Sequence, residues 1–130
     1  MIIILTILYT GAIFILSVIN IPWDITPFRG TDKVIHFVLY AIMAFLWVKV
    51  FLGRSHERIQ NKPGRIFLKA IAITFFCGLF IEVVQSMIPS RDASFLDAMA
   101  NGAGGGAGAF LSYLLHRYIG VKEAGRILQP

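Results

Sequence analysis

Four apolar stretches, each long enough to cross a bilayer, take up most of this 130-residue chain. A helical span needs about 20 residues, so four of them use roughly 80 and leave little for a soluble domain. Only 15% of the residues are charged, and the mean hydropathy is +0.74, well above that of an ordinary soluble domain. The sequence therefore predicts a single all-α domain over residues 1–130, an integral membrane bundle of four transmembrane helices. Its core must form between helices, since lipid removes the usual apolar drive for helix association.

The first span is expected over about 2–21, ended by Pro22 and by the breakers Pro27 and Gly30. It has no basic leader and is longer than a secretion-signal core, so it reads as a retained helix. Trp23 and Phe28 beside it suit the headgroup interface. The second span is expected over about 33–52, with Thr31 or Asp32 as its N-cap. A polar loop with Pro63-Gly64 as its turn leads to a third span over about 66–88, stopped by Pro89. The fourth starts near Phe95 or Asp97, with Ser94 as a cap, and reaches about Ile119.

Basic residues fix the orientation. Lys49, Arg54, Arg58, Lys62, Arg65 and Lys69 border the central loop, and Arg117, Lys122 and Arg126 follow the fourth span. Only Arg29, Lys33 and Arg91 fall on the other side. The positive-inside rule then places both termini and the central loop in the cytoplasm. It also makes the chain a multi-pass membrane protein. The net charge of +5 is a topology signal and not a nucleic-acid footprint, so no nucleic-acid partner is expected. His56 and His116 sit among these charges as solvated surface, and the lone Cys77 is a packing residue.

Asp24, Asp32, Glu82, Asp92 and Asp97 gather on the opposite, outer side. At about 1.5 Å per residue, His36 and Asn101 lie only ~5–6 Å inside their helices, and Glu82 lies ~9 Å before Pro89. All share one depth. Asp32 with His36, Lys33 with His36, Glu82 with Gln85, and Asp97 with Asn101 are three or four apart, so each pair shares a helix face. Tyr40 extends the His36 face, and Gly78 lies one turn below Glu82, where it admits a neighbouring backbone. A carboxylate within a span must be protonated, paired or wetted, which makes Glu82 the sharpest residue in the chain. Glu82 is either a hydrogen-bonding pin between helices or part of a site. Arg91 can grip phosphate or carboxylate through its planar fork, or simply neutralise Asp92, Asp97 or Glu82. His36 beside Glu82 can take or give a proton.

The run from Asn101 to Ala109 is rich in glycine, but it lacks the Gly-Lys-Ser/Thr ending of a nucleotide loop and follows no strand. Gly102 with Gly106, and Gly104 with Gly108, instead allow close helix packing, within the bundle or across a homodimer. No metal or cofactor is expected, since no spacing demands one.

The ordered series Asp32-Lys33-x-x-His36-Phe37-x-x-Tyr40, Glu82-x-x-Gln85, Arg91 and Ser94-x-x-Asp97-x-x-x-Asn101-Gly102-x-Gly104 resembles the VanZ-like family of small bacterial membrane proteins. The resemblance covers about residues 31–109. It implies an α-helical membrane protein of the cell envelope and, through the family's named member, an association with low-level resistance to the lipoglycopeptide teicoplanin more than to vancomycin. It supplies a phenotype and no reaction.

The leading expectation is a non-catalytic protein that binds a membrane lipid, a lipid-linked envelope precursor or a lipoglycopeptide at its outer face. Arg91 and Lys33 would hold anionic groups. Glu82, Gln85, Asp97 and Asn101 would select the ligand, together with Asp32 and Tyr40, and His36 would tune protonation. The alternative is an intramembrane enzyme acting on a lipid or cell-wall precursor, with Glu82 or His36 as its general base. A small proton-coupled exporter ranks last, because such a protein places its carboxylate nearer the midplane than Glu82.

Overall fold

The structure is a computed structural model that describes residues 1–19, 30–54, 63–88 and 94–127. Four helices account for nearly all of them: α1 (Ile2–Val18), α2 (Thr31–Arg54), α3 (Pro63–Ser86) and α4 (Phe95–Ile127). Trp23, Phe28, Arg29, His56, Arg91 and Asp92 lie outside the described residues.

Two helix starts differ from expectation. Gly30, with φ of 99°, precedes α2, and its carbonyl accepts the amides of Lys33 and Val34. Glycine adopts this left-handed backbone freely, so Gly30 takes the cap position and Thr31 is already helical. Pro63 is the first residue of α3 and not part of a preceding turn. Its missing amide costs nothing there, and its fixed φ suits a first helical position. At α4 the Ser94 carbonyl accepts the amides of Asp97 and Ala98, which begins the helix where expected. α4 also runs past Ile119, to Ile127.

α2 and α3 are long and apolar enough to cross a membrane. α1 is equally apolar but spans only 17 residues. α4 does not meet the same measure. Its centre is glycine and alanine, which contribute length without much hydropathy.

Packing is most extensive between α2 and α4, and α1 leans on α2 and α3 without touching α4. Gly104 faces Phe37 and Gly108 faces Ala41, so a fixed sequence offset persists from one turn to the next. A constant offset means that α2 and α4 run parallel, as alternating up-and-down helices require. A methyl group on Gly104 or Gly108 would strike the carbonyl of Phe37 or Ala41. These two helices therefore touch backbone to backbone.

The interior holds two clusters, one of them built from small side chains. Ala44, Ala70 and Ala109 are fully buried and pack with Val48. A second cluster joins Ile13, Tyr40, Met43 and Ile81, with Cys77 and Tyr9 against it. Most of the large apolar side chains point outward, including Leu68, Phe76, Phe80 and Phe95. Alanines and glycines at the helix contacts and many large apolar side chains outside suit an apolar surround, where close helix approach supplies the association energy. A surface this apolar on a soluble monomer would demand a partner.

The threonine hydroxyls of α1 and α3 are satisfied locally. Thr6, Thr10 and Thr74 each bond the carbonyl four residues back, at 2.7–2.8 Å. This removes a polar cost that α1 and α3 would otherwise carry in an apolar setting.

Candidate functional site

The site lies at the end of the bundle where α2 and α4 begin and α3 ends. Because α2 and α4 are parallel and tightly seamed, their first turns sit side by side. The last turns of α3 meet them there.

His36 on α2 and Asn101 on α4 meet directly, with Nδ1 and Oδ1 3.1 Å apart. Asn101 is 1% exposed, so this contact lies within the seam. The His36 ring stacks on Tyr40 with centroids 6.5 Å apart and planes nearly parallel, as their four-residue spacing allows. Tyr40 is also buried, and its hydroxyl has no hydrogen-bond partner among the described residues.

Gly78 of α3 makes room for this pair. A Cβ there would lie 3.0 Å from Tyr40 Cε1 and 3.2 Å from Asn101 Nδ2. The glycine thus admits two side chains, where the sequence predicted a neighbouring backbone. A similar contact occurs one turn further into the bundle, where Gly105 leaves space for Thr74.

Glu82 stands one turn beyond Gly78 and is 6% exposed. Its Oε2 accepts the backbone amide of Ser94 at 3.1 Å, tying the end of α3 to the entrance of α4. Its Oε1 is buried and has no hydrogen-bond partner among the described residues. Asp97 and His36 lie within electrostatic range of this carboxylate. Asn101 Nδ2, a donor, is likewise unpartnered. Burying a polar atom without a partner costs on the order of 1–3 kcal/mol, so one acceptor, one donor and the Tyr40 hydroxyl left unpaired at a single end are costly.

Lys33 closes the outer edge. Its ammonium lies 2.8 Å from Asp32 and 3.3 Å from Asp97 Oδ1. The longer contact is an ion pair without a well-aligned hydrogen bond, which leaves Asp97 Oδ1 without a hydrogen-bond partner as well. Lys33 is therefore held by two carboxylates and is not a free cation waiting for an anion.

Gln85 is occupied elsewhere. Its amide donates to the Ser17 carbonyl of α1 at 3.0 Å, so among the described residues it ties helices together and does not face the His36–Asn101 pair. Tyr9 makes a second tie from α1, donating to the Leu39 carbonyl at 3.2 Å. Phe14 stacks on Phe80 at 5.9 Å between these ties. The sequence analysis assigns no polar contact to the first span. Tyr9, a polar-tipped ring inside an apolar helix, was the signal it could have used.

The structure thus brings together Asp32, Lys33, His36, Tyr40, Glu82, Asp97 and Asn101. Gln85 faces α1, and Arg91 lies outside the described residues. Gly104 and Gly108 form the α2–α4 seam, whereas Gly102 and Gly106 meet nothing within 4 Å. Among the described residues no group of three His, Cys, Asp or Glu side chains is placed to hold a metal ion.

These features define an all-helical protein with membrane-like helices and a buried polar cluster at one end. The family model for VanZ/LLP1 matches residues 3–116, and the chain belongs to that family. Comparisons with curated proteins and with solved structures gave no match.

Proposed function

We propose that this VanZ-like protein is an integral protein of the bacterial cytoplasmic membrane, with four spans and both termini cytoplasmic. On this reading the His36–Glu82–Asn101 end faces outward and binds a lipid or a lipid-linked envelope ligand. One observation carries the proposal: Glu82 Oε1 and Asn101 Nδ2 are both buried and unpartnered at the same end of the bundle. A structural pin would spend these atoms on each other or on the backbone, as Gln85 and Tyr9 do. Atoms kept unspent at an interface depth are suited to a ligand's polar head.

Lipoglycopeptide resistance is the phenotype proposed for this site, since teicoplanin carries an acyl tail and acts outside the membrane. The test is susceptibility of a Gram-positive host expressing the wild type, Glu82→Gln or Arg91→Ala, with membrane levels confirmed. A teicoplanin-selective rise that either substitution abolishes supports the reading. Equal susceptibility with and without well-expressed protein removes resistance as the function.

A catalytic reading has one observation in its favour. Asn101 orients the His36 ring beside Glu82, as a general base needs an orienting partner. Turnover of a lipid or cell-wall precursor by the purified protein, lost in His36→Gln, would establish it.

A further inference from the structure

The charge balance of this end is acidic. Among the described residues this end holds Asp32, Glu82 and Asp97 but one Lys or Arg, Lys33, which pairs with Asp32 and Asp97, and the sequence places five carboxylates against three cations on the proposed outer side. Such a site disfavours a purely anionic head group and favours one that donates hydrogen bonds from a positive centre.

Lys33 already shows what the acidic groups accept. Its own ammonium sits between Asp32 and Asp97, at 2.8 and 3.3 Å. The Lys33 side chain is 36% exposed and that of Asp32 51%, so this pair is open to exchange at the rim. Beneath it lies Glu82, nine-tenths buried, with Oε1 unpartnered and within electrostatic range of Asp97. Asn101 Nδ2 supplies an unpartnered donor on the same α4 face as Asp97.

We infer that the site takes a primary ammonium joined to a phosphate, the head-group chemistry of an ethanolamine phospholipid. This deepens the lipid-binding reading and rests on it. The incoming ammonium replaces that of Lys33 between Asp97 and Asp32. The displaced Lys33 then pairs with the ligand's phosphate one head-group length away. The incoming head group is a zwitterion, so the exchange leaves the net charge of the site unchanged and gives Lys33 an anionic partner in place of the carboxylates it yields. A quaternary ammonium has no N–H to give, and a glycerol head group carries no positive charge. Either one leaves Asp97 Oδ1 and Glu82 Oε1 less well satisfied.

Native mass spectrometry of the purified full chain, released from detergent, measures this directly. Dioleoyl phosphatidylethanolamine, phosphatidylcholine and phosphatidylglycerol are offered at equal concentration, with soluble glycerophosphoethanolamine as a competitor. Retention of the ethanolamine lipid is expected about tenfold above the other two, the size of one charge-assisted hydrogen bond. Asp97→Asn and Glu82→Gln, each checked for helicity, are expected to bring the ethanolamine-to-choline ratio close to one. The wild-type comparison stands even where a variant fails to fold. Equal or greater retention of the choline or glycerol lipid overturns the ammonium assignment and leaves a lipid site intact. Competition by the soluble head group at lipid-like concentrations overturns the lipid as source and assigns the site to a free amine. Retention no greater than that of an unrelated four-helix membrane protein overturns both this inference and the lipid-binding reading.

Discussion

Gly104 with Gly108 and Gly102 with Gly106 have the same four-residue spacing on the same helix, yet they meet opposite surroundings. The first pair lies against the α2 backbone, with no space for a methyl group. The second has nothing within 4 Å. Two residues along a helix is a rotation of about 200°, so the pairs lie on nearly opposite faces of α4. A small residue is thus required on one face, where backbones must meet, and is merely permitted on the other. Spacing alone cannot separate the two cases.

Substitution sharpens the contrast. Gly104→Ala and Gly108→Ala should have the largest effect, each destabilising by about 1–3 kcal/mol or more, because a rigid carbonyl faces the new methyl group. Thermal unfolding in a single detergent, read by helicity, checks this. A mild effect would mean that α2 and α4 separate easily.

Gly78→Ala should rank next, at about 1–2 kcal/mol, since its neighbours are side chains that can shift. It should also weaken any ligand retained by the wild type, because Tyr40 and Asn101 are the groups displaced. Tyr9→Phe removes one hydrogen bond between α1 and α2 and should cost about 0.5–1.5 kcal/mol in the same assay.

Gly102→Ala with Gly106→Ala should have the smallest effect and the opposite sign, a gain of up to about 1 kcal/mol per site from helix propensity. If this double variant instead destabilises as strongly as the seam variants, or lowers the cross-linked dimer yield, the open face is covered by a second copy. The contrast between the two faces would then dissolve.

Much of this arrangement was legible in the chain. Apolar run lengths gave four helices, and three- and four-residue spacings put His36 with Tyr40 and Asp97 with Asn101 on shared faces. Depth arithmetic brought Glu82 and Asn101 to one end of the bundle. What depends on rotation about a helix axis was not legible. The choice of Gly104 over Gly102 as the seam, the turning of Gln85 towards α1 and the aim of Gly78 at two side chains are all azimuthal facts. Capping also escaped, because Gly30 works through its backbone conformation and Thr31 looked chemically better suited. The pairing of Lys33 with Asp97 joins residues 64 positions apart, a relation that no local spacing encodes.

The bond from the Ser94 amide to Glu82 has a consequence for genetics. One member of this contact is main chain, so its donor is present whichever side chain occupies position 94, proline excepted. An alanine scan would register Glu82 and pass over its partner. Selection acting through this contact alone would hold the glutamate fixed and make no demand on the side chain at 94, so the serine that the family series carries there answers to something other than Glu82. The anchor between the third and fourth helices is therefore a one-sided constraint, invisible to any method that looks for pairs of residues changing together.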